Sequence, residues 1–230
     1  MGDAYVVGHV HGRLIAFDLD GTLIDSSRDL ANSVNALLGE LGAAPLPLED
    51  VRNMIGEGAK VLIRRALAAS GIRENPEAIG RFLEIYDRKL LDHTRPYEGI
   101  TEVVRAARTR ARVAVLTNKP LAPSEKVLAG LGLRDLFDDV IGSDGTYPRK
   151  PDPAGLLALM QRAGATPERT LMVGDSRIDY ETAKRAAARC CLVSYGFSHQ
   201  TLNDVPVEDA WLADDPSMLA EVITRFIASD

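Results

Sequence analysis

The sequence predicts an α/β fold: a parallel β-sheet flanked by helices, with an α-helical subdomain inserted into it. Three observations predict this. Short, β-rich apolar runs alternate with amphipathic stretches of helical length, the pattern left by parallel strands that each need a crossover to reach the next. Residues 26–95 break the alternation, and the stretch is too long and too apolar for an ordinary connection. Acidic and polar residues directly follow several of the runs, where the carboxyl ends of parallel strands gather in space.

Taken in order, Leu14-Ile15-Ala16-Phe17 reads as the first strand and ends at Asp18. The inserted block offers only helices. Leu30, Val34, Leu37, Leu38 and Leu41 make one apolar stripe, a second helix spans Gly58 to Ala69, and a third runs from Pro76 to about Leu91. The chain therefore divides into an α/β core, residues 1–25 and 96–230, and a helical unit, residues 26–95. In the core, helices are expected over 99–109, 121–130, 153–163 and 177–188. Strands are expected at Val113–Leu116, which ends at Thr117, at Val140-Ile141, at Leu171–Val173, which ends at Gly174-Asp175, and at Cys191–Val193, with Trp211-Leu212 at an edge. Asp215 can cap the last helix and Pro216 suits its first position. Met218, Leu219, Val222, Ile223, Phe226 and Ile227 then repeat at helical spacing and predict one buried face.

Of the 230 residues, 46% are hydrophobic and 26% charged, a balance that suits a soluble globular protein. The net charge of −6 argues against nucleic acid as a partner, which calls for a basic stripe or patch. No apolar run approaches the roughly 20 residues that cross a bilayer, so no membrane is expected either. The start, MGDAYVVGHVHGR, has neither a secretory nor a myristoylation pattern. His9 and His11 flank Val10 there, and metal binding by them is not expected. The adjacent Cys190 and Cys191 cannot build a disulfide framework, which points to a reducing, cytoplasmic setting.

The chemistry gathers in four fragments. Asp18-Leu19-Asp20-Gly21-Thr22 follows the first strand; read alone it could be an acidic turn, since Asp and Gly form turns readily. Thr117-Asn118 follows the second strand. Lys150 precedes Pro151-Asp152-Pro153, where Asp152 can cap a helix that Pro153 begins. Gly174-Asp175-Ser176 follows a later strand, with Asp179 four residues after Asp175. Alone, Thr117-Asn118 or Lys150 would be ordinary loop residues. In register with the expected strands, all four fragments can meet in one crevice.

Residues 14–25 (LIAFDLDGTLID), 113–120 (VAVLTNKP), 150–153 (KPDP) and 173–184 (VGDSRIDYETAK) resemble, in order, the four motifs of the haloacid dehalogenase superfamily. They look most like its phosphoglycolate phosphatase branch. The resemblance implies a Rossmann-like core with a helical cap at 26–95, and a phosphomonoester hydrolase working through an aspartyl-phosphate. Asp18 resembles the nucleophile and Asp20 the general acid and base. Thr117 and Asn118 would donate hydrogen bonds to the phosphoryl group, and Lys150 would supply a positive charge opposite Asp18. By the same resemblance the Asp18 side chain, the Asp20 carbonyl and Asp175 bind a metal ion, with Asp179 supporting them from outside or ligating the ion directly.

Charge explains why a cation is needed. Each like-charge contact near 4 Å costs roughly 4 kcal/mol at an effective dielectric of 20, and the four carboxylates outnumber Lys150 even before a phosphate enters. Oxygen ligands with room for water favour Mg²⁺. A halide-removing relative would need neither Asp20 nor bound Mg²⁺. A non-catalytic binding protein would be expected to have lost Asp18, Asp20 or Lys150.

The expected partner is a small phosphorylated metabolite, 2-phosphoglycolate first, acted on by a monomer or homodimer. A phosphosugar phosphatase or mutase and an inorganic pyrophosphatase share the same core residues. Ile55-Gly56-Glu57-Gly58-Ala59-Lys60 also resembles a branch segment, and a helix beginning near Gly58 would offer amide donors to an anion. Lys60, Arg64 and Arg65 are candidates for a substrate carboxylate or, equally, solvated helix positions. Ile178, where a polar residue is expected, and the glycine-free run Ala186-Ala187-Ala188 depart from the branch pattern.

Overall fold

A computed structural model describes residues 12–197, 205–206 and 210–229; His9 and His11 lie outside them. The chain enters through β1 (Leu14–Phe17), followed by β2 (Ile24–Asp25) and four helices: α1 (Ser27–Glu40), α2 (Leu48–Arg52), α3 (Ala59–Ala69) and α4 (Pro76–Lys89). Strand β3 (Arg95–Pro96) then pairs antiparallel with β2 and closes off the helical block. The rest alternates: α5 (Ile100–Arg108), β4 (Arg112–Leu116), α6 (Leu121–Gly130), β5 (Asp139–Ile141), α7 (Ala154–Ala163), β6 (Thr170–Gly174), α8 (Arg177–Arg185), β7 (Arg189–Val193), β8 (Trp211–Ala213) and α9 (Pro216–Ala228).

The six-stranded sheet has the order β5-β4-β1-β6-β7-β8 and every pairing in it is parallel. Strand β1 therefore lies between β4 and β6, and the chain leaves it on one side and returns on the other. That reversal opens a crevice at the carboxyl ends of these three strands. It also explains the unbroken apolar run of β1. Ile15 and Phe17 face one core cluster, Leu14 and Ala16 the other, and all four are essentially inaccessible. Cys190 and Cys191 divide the same way, buried and free on opposite faces of β7.

Differences from expectation sit at element ends. Helix α7 begins one residue late, at Ala154, because Pro153 occupies the capping position and Asp152 accepts the Ala154 N–H at 2.9 Å. Helix α8 stops at Arg185, and Ala187 takes a left-handed φ of 54°. Leu41 and Met218 were expected on buried faces but are exposed: Leu41 lies just past the end of α1, and Met218 turns outward while Leu219, Ile223 and Phe226 face the core. Asp215 caps α9 through the Met218 N–H at 2.9 Å, as its position predicts. The short α2 and the β2–β3 ribbon had no signal of helical or strand period in a few residues each.

The helical block packs around α1, whose Leu30, Val34, Leu37 and Leu38 are buried. Asp29 on the same helix is fully buried and accepts the backbone N–H groups of His93 (2.9 Å) and Thr94 (2.8 Å), which ties the start of the block to its exit beside β3. A buried carboxylate is tolerated there because donors surround it.

Candidate active site

Strand register brings the fragments together. Phe17 lies level with Val115 of β4 and Val173 of β6, so the residues just beyond, Asp18, Thr117 and Asp175, emerge at one height. The Asp18 N–H still bonds to the Val173 carbonyl at 2.8 Å, which fixes its side chain at the strand end. Gly21 then turns the chain with φ +88°, and a Cβ there would lie 2.4 Å from Asp175 Oδ2. Only a glycine lets the first motif pass this close to the Asp175 carboxylate.

The charged centre is buried. Lys150 Nζ lies 2.9 Å from Asp18 Oδ1 and 2.5 Å from Asp179 Oδ1. The other Asp179 oxygen accepts the Ser176 hydroxyl at 2.6 Å and its N–H at 3.2 Å, within a capping box that starts α8. Asp175 Oδ2 accepts the Phe197 N–H at 2.7 Å. Ligand oxygens of Asp18, Asp175 and Asp179 lie within 4.8 Å of one another. Burial pushes the Asp18 carboxyl up to about 6; Lys150 opposes this and the Asp179 charge adds to it. Burial by itself would lower Lys150, yet Asp179 and Asp18 together hold it above the ordinary lysine range.

Asp20 faces a different partner. Lys119, to which sequence reasoning attached no role, is buried with Nζ 3.1 Å from both Asp20 oxygens and 2.6 Å from the Tyr86 hydroxyl of α4. The ammonium also lies 4.5 Å from the Tyr86 ring centroid. Asp20 accepts the Ser26 hydroxyl as well, at 2.6 Å. The signal that could have found Lys119 was available: a lysine two residues past Thr117, at the carboxyl end of a central strand. Its partner Tyr86 lies 33 residues away, and nothing in the sequence joins them.

Thr117 Oγ1 accepts the Lys119 N–H at 3.1 Å, so its own hydroxyl proton is left to donate. Asn118 is held by its side chain. Its side-chain amide is committed to two backbone carbonyls, Gly56 and Lys150, each at 3.1 Å, while its Oδ1 is buried without a partner. The side chain thus clasps the helical block to the 150 loop. Helix α3 starts directly against this spot; a Cβ at Gly58 would lie 2.9 Å from the Asn118 carbonyl.

The basic residues expected in the block go elsewhere. Lys60 and Arg64 are exposed, and Arg65 is taken up by Glu57 and, at 3.3 Å, by the Met54 carbonyl. None of the three lines the cleft in front of Asp18. Ile178 is half-buried and lines a neighbouring groove with Arg149 and Arg177 rather than the cleft itself.

The haloacid dehalogenase-like hydrolase family model matches residues 15–193, from β1 through β7. The chain belongs to that family. It is 42% identical over 195 residues to a phosphoglycolate phosphatase of Pseudomonas putida, covering 81% of this chain and 71% of that one. A phosphoglycolate phosphatase of Cereibacter sphaeroides is 37% identical over 219 residues, with 93% and 99% covered. The crystal structure of a predicted phosphoglycolate phosphatase from Haemophilus somnus superposes with a TM-score of 0.84 at 29% identity, covering 92% of this chain and 97% of its own. This haloacid dehalogenase-like chain is accordingly an enzyme of the phosphatase kind. Among the described residues no helix is long and apolar enough to cross a membrane.

Proposed function

We propose that the chain is a Mg²⁺-dependent phosphomonoesterase acting on a small phosphorylated metabolite, 2-phosphoglycolate above all, through a phosphorylated Asp18. The observation that carries this reading is the buried meeting of Asp18, Lys150, Asp175 and Asp179 where β1 and β6 end. The names of the relatives supply the substrate.

An Asp18 oxygen attacks phosphorus, and the ester bond breaks toward the leaving alkoxide. Asp20, two residues on, gives that alkoxide its proton and then removes one from the water that attacks phosphorus; the bond from phosphorus to Asp18 breaks, inorganic phosphate leaves and the Asp18 carboxylate is regenerated. Lys150 holds Asp18 in place and offsets charge on the incoming phosphate, with Thr117 donating to a phosphoryl oxygen.

The donor set fits a hard divalent cation: carboxylates only, crowded by the Gly21 turn, with more negative than positive charge. The Asp18 side chain, the Asp20 carbonyl and Asp175 would hold Mg²⁺. Asp179 would act from behind them, since Lys150 and Ser176 already occupy both of its oxygens. Bound there, the ion would neutralise carboxylate repulsion and polarise phosphoryl oxygens.

Residues 26–95, joined to the core through the β2–β3 ribbon, serve in this reading as a cap that excludes water from the cleft. The test is phosphate release from 2-phosphoglycolate by the purified protein. It should fall at least about 100-fold on chelation with EDTA and return with Mg²⁺. Isomer formation without phosphate release, or turnover indifferent to EDTA, would count against the proposal.

A further inference from the structure

The cleft in front of Asp18 has a second charged corner that phosphoryl transfer leaves unused. Its wall on the helical block is apolar, formed by Leu30, Ile55, Leu62, Phe82 and Leu83. These side chains offer no hydrogen-bond partners to the hydroxyls of a sugar, so polar contact from this wall is left to the backbone around Gly56, Gly58 and Ala59 and to Tyr86. Among the described residues Lys119 is the one cation that lines this cleft. Its Nζ is spent on both Asp20 oxygens and on the Tyr86 hydroxyl. Tyr86 accepts that bond, so its own proton remains available to donate to an anion beside Lys119. Asp20 meanwhile has both oxygens engaged by Lys119 and one also by Ser26, so three of its roughly four acceptor sites are taken and little is left to meet a leaving group.

We propose that Lys119 and Tyr86 receive a carboxylate on the non-transferred end of the substrate, and that this carboxylate draws Lys119 off Asp20 and so frees Asp20 for proton transfer. The inference rests on the phosphomonoesterase reading above. Asp20 must reach the ester oxygen, and Lys119 lies one further hydrogen bond away. With the carboxylate one hydrogen bond beyond Lys119, it lies within roughly 9 Å of the ester oxygen, three hydrogen-bond lengths at most. A short hydroxy acid esterified with phosphate fits inside that limit. An ester without the carboxylate leaves Lys119 on Asp20 and is turned over slowly, so one side-chain exchange supplies both recognition and gating.

The experiment compares 2-phosphoglycolate with ethyl phosphate, which carries a methyl group in place of the carboxylate, for the wild type, Lys119→Met and Tyr86→Phe. The wild type should favour 2-phosphoglycolate by at least about 100-fold in kcat/KM. In Lys119→Met, kcat/KM on 2-phosphoglycolate should fall by at least about 30-fold while that on ethyl phosphate rises, because the lysine no longer covers Asp20. Tyr86→Phe should shrink the preference about 5-fold, chiefly through KM. Equal losses on both esters in Lys119→Met would mean that the lysine only orients Asp20, and would overturn the proposal. So would a wild type without preference, or, should Lys119→Met not fold, an unchanged preference in Tyr86→Phe. A wild type that hydrolyses neither ester would instead bring down the phosphatase reading beneath it.

Discussion

Asp18 is held in a conflict that the rest of the centre is built to manage. Its carboxyl is buried beside Asp179 and pushed up to about 6, with Lys150 only partly relieving it. Because the folded value lies above the ordinary aspartate value, Asp18 supports the metal-free fold at acid pH. That support is lost as pH rises from about 4 through about 6. Replacing the carboxyl by an amide removes the charge and the dependence together. In urea unfolding with EDTA present, Asp18→Asn should gain on the wild type between pH 4 and pH 8, by roughly 1–3 kcal/mol. The same variant should lose turnover at least about 10⁴-fold, since an amide cannot form the acyl phosphate. A variant no more stable than wild type at pH 8 would mean that Lys150 already compensates the charge in full. At this scale Asp18 and Asp175 were legible because each follows a strand end and Lys150 because it precedes a helix-starting Pro-Asp-Pro, whereas the Lys119–Tyr86 bond depends on where α4 packs against the sheet.

Helix α8 joins the two functions of an element, positioning and stability. Its first turn carries Asp179 in a capping box with Ser176 and so presents one carboxylate oxygen to Lys150. Its far end stops at Arg185, where the chain needs a left-handed residue and finds Ala187 with φ 54°. That is the stretch in which the sequence lacks the glycine the family resemblance leads one to expect. A left-handed alanine costs roughly 1–2 kcal/mol, which glycine avoids while paying some entropy in the unfolded chain. Ala187→Gly should therefore raise stability by about 0.5–1 kcal/mol in denaturant titration and leave kcat alone, because the residue is remote from Asp18. A loss of stability would show that the Ala187 methyl has packing value greater than the strain it carries.

For the whole molecule, the question is what holds the helical block against the sheet. Polar contacts span the cleft: Asn118 to the Gly56 carbonyl, Arg149 to the Glu57 carbonyl at 3.2 Å, and Lys119 to Tyr86. Arg52 of α2 adds another on the far side, donating to the Gly196 carbonyl at 3.0 Å with its guanidinium 5.3 Å from the Phe197 ring centroid. The neighbouring Phe197 N–H holds Asp175, so Arg52 links closure of the block to the placement of a proposed metal ligand. Arg52→Met should lower kcat/KM about 10-fold and raise the Mg²⁺ concentration needed for half-maximal rate, with thermal unfolding shifted by no more than a few degrees. An unchanged Mg²⁺ requirement would confine Arg52 to holding the block alone.

The order of strands and helices, the long helical insertion and the acidic residues at strand ends were all determined by the sequence, since periodicity and local turn chemistry act over a few residues. The same reasoning could propose that Asp18, Lys150 and Asp175 converge, because parallel strands align their carboxyl ends. Only the tertiary structure decided that Lys119 sits on Asp20 and Tyr86, and that the Asn118 amide clasps backbone carbonyls. Those choices are settled by which long, flexible side chain reaches which buried partner across some 30 to 100 residues of chain, a competition among desolvated charges that no local pattern records.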